Sequence, residues 1–204
     1  DVTGVQTCAL PIFPKAKQIN DHEVLVKWGL EEAQVLKNLK LKNVPSPINA
    51  KYDWPGLYKP FDHQRTTASF LTMHRRAFCF NEQGTGKTSS VIWASDYLIN
   101  IGAIRRVLVL CPLSIMSSAW EADLFKFAMH RTVAIAHSYS RDKRIAAVQS
   151  GAEYVICNFD GLEIIKDEIK NGGFDLIVVD EANAYKTVTT KRWKTLNTVI
   201  GPDM

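Results

Sequence analysis

Two short motifs of the chain combine residue types and spacings that could do chemistry. Residues 81–88 read Asn-Glu-Gln-Gly-Thr-Gly-Lys-Thr and follow a short apolar run at residues 77–80. The second motif is Asp180-Glu181, which ends a longer apolar run at residues 176–179. Glycines leave main-chain N–H groups free to surround phosphates, and adjacent carboxylates can hold Mg²⁺ and activate a water molecule. Together, in this order, the two motifs predict a site that binds and hydrolyses a nucleoside triphosphate.

The first motif offers a matching group to each part of a triphosphate. Lys87 would reach the β- and γ-phosphates, the Thr88 hydroxyl would ligate Mg²⁺, and the following helix would add its positive N-terminal end. The usual pattern begins with Gly where this chain has Asn81, a residue that tolerates left-handed backbone. An ordinary glycine-rich turn before a helix is the alternative interpretation. The residues predicted to surround the nucleotide phosphates are Gln83, Gly84, Thr85, Gly86, Lys87 and Thr88.

The second motif supplies the two acids that such a site requires. Asp180 would hold Mg²⁺, and Glu181 would orient and deprotonate the attacking water. Read alone, the motif could equally be a buried strand that ends at two solvated acids. Read together with the upstream loop, it makes Lys87 and Glu181 the predicted catalytic residues, with ATP and Mg²⁺ as the ligands.

The elements that must position these motifs alternate between apolar runs and amphipathic segments from residue 62 onward. Such alternation predicts an α/β fold with a parallel sheet that helices cover on both faces, and ligands in such folds bind at the carboxyl ends of the strands. The predicted strands are residues 77–80, 107–111, 133–136, 154–157 and 176–179. The predicted helices are residues 62–73, 87–99, 115–127, 141–149, 160–170 and 190–199.

Residues 13–60 are predicted to form an N-terminal extension ahead of the domain at residues 61–204. Alternating apolar residues at 24, 26 and 28 predict a short strand, and residues 30–39 have helical spacing. Four prolines between residues 45 and 60 predict an extended lead-in over residues 43–60.

Composition narrows the class of protein further. The 204 residues are 46% hydrophobic, which suffices for one buried core, and the formal net charge of +4 suits a polyanionic partner. Cysteines at positions 8, 79, 111 and 157 form no C-x-x-C pair, so we expect reduced thiols in an intracellular protein. No apolar run approaches the roughly 20 residues of a membrane span, and the histidines lack metal-ligand spacing.

The beginning of the chain has an unusual sequence. Residues 2–12 resemble the translation of a common short-read sequencing adapter. We therefore expect residues 1–12 to be an artefact of sequence assembly rather than a signal peptide or a structural element.

Four further stretches resemble the Swi/Snf-type branch of the superfamily-two helicase-like ATPases, and most of all its phage-encoded members. These stretches are residues 60–64, 108–114 followed by 120–121 and 124–125, 155–162, and 180–191. The resemblance implies a RecA-like P-loop lobe in which Gln64 recognises adenine and Phe61 stacks on its ring. It also implies nucleic-acid contacts from four residues at strand ends and beyond. These are Pro112, Ser114, Asn158 and Lys186.

The same resemblance implies the first motor lobe of a DNA-dependent translocase or helicase, with duplex DNA as its partner. An RNA helicase, a restriction-type motor and a nucleotide-gated clamp without motor activity are the alternatives. A second RecA-like lobe, which brings arginines to the nucleotide in this family, is expected beyond residue 204, so the chain alone should hydrolyse ATP weakly. Asn183 stands where the branch usually has His. A phage origin would place the protein in the cytoplasm of a prokaryotic host.

Overall fold

The computed structural model describes residue 13, residues 16–20 and residues 23–200. The adapter-like residues 2–12 and the last four residues lie outside this described part. The chain divides into two compact units, residues 1–52 and residues 53–204. In the ranges that are described, no helix combines the length and the apolar character that crossing a membrane requires.

The first unit contains a small antiparallel hairpin and two helices. Strands β1 (Lys17–Gln18) and β2 (Val24–Leu25) pair, and helices α1 (Leu30–Asn38) and α2 (Pro47–Lys51) follow. The predicted helix is confirmed, whereas the predicted strand is confirmed only in its first part. The expectation of extended backbone over residues 43–60 is wrong where α2 forms. Proline fits the first position of a helix, because its missing N–H would have no partner there.

The second unit contains a four-stranded parallel sheet in the order β4-β5-β3-β6. Its strands are β3 (Val107–Cys111), β4 (Val133–Ile135), β5 (Tyr154–Asn158) and β6 (Leu176–Val179). The two central strands are buried along their whole length, as expected for continuous Val/Ile/Leu runs in a parallel sheet. Four predicted strands are therefore confirmed.

Helices surround this sheet. They are α3 (Asp62–Thr72), α4 (Lys87–Asn100), α5 (Ala122–Phe127), α6 (Arg141–Gln149), α7 (Phe159–Ile164), α8 (Lys166–Lys170) and α9 (Lys191–Val199). Two predicted helices are more broken than the sequence indicates. Before α5 the chain makes a 3₁₀ turn (Leu113–Ile115) and a π-helical turn (Met116–Glu121). Between α7 and α8, Ile165 leaves helical backbone at φ −127° and is fully buried.

The core lies on both faces of the sheet, and β3 shows how. Leu108 and Leu110 point to the face covered by α6, α7, α8 and α9. Val107 and Val109 point to the opposite face, which α4, the π-helical turn and α5 cover. This period of two follows from the pleat of a strand. The predicted α/β architecture with helices on both faces is thus confirmed.

The predicted strand at residues 77–80 is wrong. Within the described residues this segment pairs with no strand, and Phe78 and Phe80 are 74% and 88% exposed and stack on each other. The apolar pattern alone predicts a strand here. A strand, however, also needs a neighbour that supplies main-chain hydrogen bonds, and sequence pattern does not report that neighbour.

Candidate nucleotide-binding site

The loop at residues 81–88 is shaped by two glycines in left-handed backbone. Gly84 has φ +79° and Gly86 has φ +74°, and Gly86 directly precedes α4. A Cβ atom on Gly84 would meet nothing within 4 Å, whereas one on Gly86 would lie 2.1 Å from Nε2 of Gln64. Gly84 thus borders open space, and Gly86 permits the close approach of α3. An open glycine loop before the N-terminus of a long helix fits a phosphate group.

Lys87 closes the loop from its C-terminal side. Its Nζ donates to the main-chain oxygens of Asn81 and Glu82, each at 3.0 Å. The Thr85 hydroxyl donates to the same Glu82 oxygen at 2.8 Å. The ammonium group therefore lies over the loop, where both of its acceptors are neutral carbonyl oxygens. Charged phosphate oxygens bind a cation more strongly, so a bound phosphate could replace these carbonyls as the partner of Lys87.

Gln64 joins α3 to the loop. Its side chain is buried, its Oε1 accepts the Phe61 N–H at 2.9 Å, and its Nε2 donates to the Thr85 oxygen at 3.3 Å and the Ser89 hydroxyl at 3.4 Å. Phe61 is 69% exposed and stacks on His63, with ring centroids 5.7 Å apart. The structure thus brings Gln64 and Phe61 beside the loop at residues 81–88. Adenine recognition by this pair stays a prediction, and it would require Gln64 to exchange one of these partners.

The two acids follow β6 at the carboxyl end of the sheet. The Asp180 N–H donates to the Leu110 oxygen of β3 at 2.9 Å, which extends the ladder by one residue. Its Oδ1 accepts the Glu181 N–H at 3.0 Å, and its Oδ2 accepts the indole N–H of Trp120 at 2.9 Å. Glu181 is exposed and has φ +54°. Left-handed backbone costs a residue with a Cβ about 1–2 kcal/mol, and such strain concentrates at functional sites.

The charge of Asp180 affects the pKa of a neighbouring thiol. Burial, and then the negative charge of Asp180, raises the pKa of Cys111 to about 12. Cys111 is the last residue of β3. Because its pKa is raised, its thiol stays neutral beside the carboxylate and is unsuited to nucleophilic chemistry.

The oxygen donors of the two motifs suit Mg²⁺ when it arrives with a nucleotide. Among the residues that the structure describes, no group of three or more His, Cys, Asp or Glu side chains could hold a metal ion. Mg²⁺ usually binds through one or two protein oxygens together with substrate phosphates and water. A hydroxyl at Thr88 and a carboxylate at Asp180 are hard oxygen ligands of that kind. The residues therefore fit a metal ion that binds together with the nucleotide.

The four residues predicted to contact nucleic acid have different surroundings. Pro112 and Ser114 form the turn after β3, and Ser114 is exposed. Lys186 is also exposed, and it follows the 3₁₀ turn Ala182–Tyr185. Asn158 is only 9% exposed, and its Oδ1 accepts from Arg144 at 3.4 Å. Its structural partner is thus inside the unit, whereas Ser114 and Lys186 are open to an external partner.

Sequence reasoning missed several side chains that hold the site. Asn81 is anchored by a 2.8 Å hydrogen bond from its Nδ2 to the Thr67 hydroxyl of α3, and Nε2 of His63 lies 3.0 Å from the Thr85 oxygen. No sequence signal indicates these contacts, which depend on how α3 packs. Trp120 belongs to a stretch that carries the family resemblance, but the sequence does not indicate its contact with Asp180. A buried indole N–H must find an acceptor, and a nearby carboxylate is a strong one.

Comparison with known proteins is consistent with this geometry. The profile of the SNF2-related domain family matches residues 23–204. The chain is 24% identical over 160 residues to a zebrafish (Danio rerio) protein named DNA excision repair protein ERCC-6-like. The matched region covers 72% of this chain and 11% of that protein.

Two solved structures of the Sulfolobus solfataricus SWI2/SNF2 ATPase core share the fold. One, in complex with dsDNA, has a TM-score of 0.61 at 24% identity and covers 70% of this chain and 30% of that one. The other, the core domain, has a TM-score of 0.52 at 22% identity and covers 72% and 31%. This likeness confirms the predicted RecA-like fold. The chain spans about a tenth of the zebrafish protein and less than a third of the solved chains.

Proposed function

The chain belongs to the SNF2-related domain family, and from that premise we propose that it is the ATP-binding motor lobe of a DNA-dependent ATPase that translocates on duplex DNA. The observation that carries this proposal is the loop at residues 81–88. This loop contains two glycines in left-handed backbone, a lysine that donates to the loop's own main-chain oxygens, and the N-terminus of α4. This arrangement supports the binding of an anion with several adjacent charges.

Each residue would have a distinct part in hydrolysis. Main-chain N–H groups of the loop would bind the phosphates, and Lys87 would leave the Asn81 and Glu82 oxygens to pair with the β- and γ-phosphates. Thr88 and Asp180 would hold Mg²⁺, which when bound offsets the negative charge of the phosphates. The exposed Glu181 carboxylate would orient the attacking water and accept its proton.

The nucleic acid that we propose as partner is duplex DNA. A related ATPase core has been solved in complex with dsDNA. Ser114 and Lys186 are exposed in this chain and could offer a hydroxyl, main-chain N–H groups and a cation to a DNA backbone. The net charge of +4 supports a polyanionic partner without selecting DNA over RNA.

The test is the ATPase rate of the gene product, compared without nucleic acid and with duplex DNA, single-stranded DNA or RNA at one salt concentration. We expect strong stimulation by duplex DNA that Lys87→Ala and Glu181→Gln abolish. Lys170→Ala, which changes an exposed lysine at the end of α8, is the matched control.

Other outcomes select the alternatives. Stimulation by RNA or by single strands alone would move the protein to another helicase branch. ATP binding without stimulation by any nucleic acid would favour a nucleotide-gated clamp. Failure to bind ATP would contradict the proposed function altogether.

A further inference from the structure

The Asp180 carboxylate is held by one hydrogen-bond donor on each oxygen. Oδ1 accepts the main-chain N–H of Glu181 at 3.0 Å, and Oδ2 accepts the indole N–H of Trp120 at 2.9 Å. The first donor is local and follows from the turn after β6. The second comes from a residue 60 positions earlier in the chain, so it reports tertiary structure. Together they fix the orientation of the carboxylate.

Trp120 is itself immobilised. It is 2% exposed and packs in the core with Met116, Leu124 and Ile92, on the face of the sheet that α4 and α5 cover. A buried indole N–H needs an acceptor, because leaving it unpaired costs roughly 1–3 kcal/mol. Hydrogen bonds to an ionised group are stronger than those to a neutral carbonyl. A rigid donor thus faces the carboxylate that the proposed function assigns to Mg²⁺.

The backbone around Trp120 is of a rare kind. Residues 116–121 form a π-helical turn, which follows the 3₁₀ turn at residues 113–115 and the strand-end Pro112. Turns with i→i+5 hydrogen bonds are rare and are frequently found at functional sites. One continuous segment therefore runs from the predicted nucleic-acid turn at residues 112–114 to the indole that contacts Asp180.

We propose that Trp120 is a positioning residue, which orients Asp180 for Mg²⁺ and ties that carboxylate to the turn at residues 112–114. This inference rests on the proposed function, because it takes Asp180 to be the magnesium carboxylate. The chain contains a natural comparison. Trp93 is 1% exposed, and its indole donates at 2.9 Å to the main-chain oxygen of Pro55. Trp93 has the same chemistry and burial without a carboxylate partner.

The first experiment measures ATP affinity, with Mg²⁺ and with EDTA, for the unsubstituted chain, Trp120→Phe and Trp93→Phe. Phenylalanine keeps an aromatic ring and removes the N–H donor. We expect the gain in affinity that Mg²⁺ confers to fall about tenfold in Trp120→Phe, the size of one hydrogen bond to a charged group. Affinity in EDTA should be unchanged in Trp120→Phe, and Trp93→Phe should keep the full magnesium gain.

A second readout observes the hydrogen bond itself. The chain has five tryptophans, so its indole N–H resonances can be resolved and assigned by NMR. We expect the Trp120 indole resonance to move in Asp180→Asn, and to move when Mg²⁺ is added to the ATP-bound chain. The Trp93 resonance should respond to neither change. The Asp180→Asn comparison needs no Trp120 substitution, so it decides the question even where Trp120→Phe fails to fold.

The outcomes separate this inference from the proposed function. A magnesium gain that is normal in Trp120→Phe, or equal losses in Trp120→Phe and Trp93→Phe, would overturn the positioning role. A Trp120 resonance that is insensitive to Asp180→Asn would overturn it as well. If the unsubstituted chain binds no ATP, the proposed function fails, and that result is distinct from normal magnesium-dependent binding by Trp120→Phe.

Discussion

The glycine loop at residues 81–88 and the acidic end of β6 are held in different ways. The loop at residues 81–88 is fixed by its own hydrogen bonds and by α3, and the segment before it, residues 77–80, pairs with no strand that the structure describes. Asp180 instead extends a ladder with β3, and a buried tryptophan fixes its carboxylate. The loop thus takes its shape from local contacts, whereas the acidic end depends on tertiary structure.

This difference has consequences for mutations. Changes in the loop should act on backbone shape and on phosphate affinity, because those depend on glycine conformations and on Lys87. Changes at the acidic end should act on magnesium dependence and on the packing that orients the carboxylate.

Thiol reactivity should show the largest contrast, because each region has its own cysteine. Cys79, before the loop, is half-buried, whereas Cys111, beside Asp180, is fully buried and its pKa is raised to about 12. A pKa raised from 9.0 to about 12 lowers the thiolate fraction near pH 8 roughly a thousandfold. In a Cys8→Ser background, a thiol reagent should label Cys79 long before Cys111.

Cys157 is the control for this prediction. Burial raises its pKa to about 12 as well, and it too is free. Cys111 and Cys157 should therefore react slowly alike in the folded chain and rapidly after denaturation. Labelling of Cys111 as fast as that of Cys79 would show that the end of β3 is not closed.

Lys87→Ala should weaken ATP binding by about ten- to a hundredfold, because a hydrogen bond to a charged group contributes roughly 1.5–3 kcal/mol. The loss should be similar with Mg²⁺ and with EDTA, since Lys87 contacts the loop and not the acids. Titration with a fluorescent ATP analogue measures it, and Lys170→Ala serves as the control. An unchanged affinity would remove the loop from the site.

The two loop glycines form a matched pair for stability. Alanine at either position must adopt positive φ, which costs about 1–2 kcal/mol. Gly86→Ala must also displace Gln64, so it should lose about 1–3 kcal/mol more than Gly84→Ala, the usual cost of overpacking. Chemical denaturation of both variants measures the difference. Equal losses would show that α3 does not press on the loop.

The smallest expected effect is at Glu181. Glycine accepts its left-handed backbone at φ +54°, so Glu181→Gly should leave the free energy of unfolding unchanged or raise it by up to about 1 kcal/mol. The same variant should lose ATP hydrolysis. Glu181→Gln keeps the strain and should keep the original stability. A clear destabilisation by Glu181→Gly would mean that the carboxylate has a structural role.

The sequence predicts a helix, strand or turn correctly where the local residue types alone decide its structure. Strands 107–111 and 176–179 are continuous apolar runs, the first fully buried and the second half-buried, and glycine at 84 and 86 supplies left-handed backbone. Residues 77–80 carry a similar apolar pattern but depend on a pairing partner elsewhere. The π-helical turn at residues 116–121 and the contact of Trp120 with Asp180 arise from packing between distant segments, which periodicity does not report.

The magnesium dependence of ATP binding, measured in Asp180→Asn and in Lys87→Ala, tests most directly whether the loop and the acid form one nucleotide site. If the loop and the acid form one nucleotide site, Lys87→Ala should lose affinity with or without Mg²⁺, and Asp180→Asn should lose only the gain that Mg²⁺ confers. If Asp180→Asn binds ATP with Mg²⁺ as tightly as the unsubstituted chain does, the two motifs do not share a ligand, and the proposed nucleotide site is contradicted.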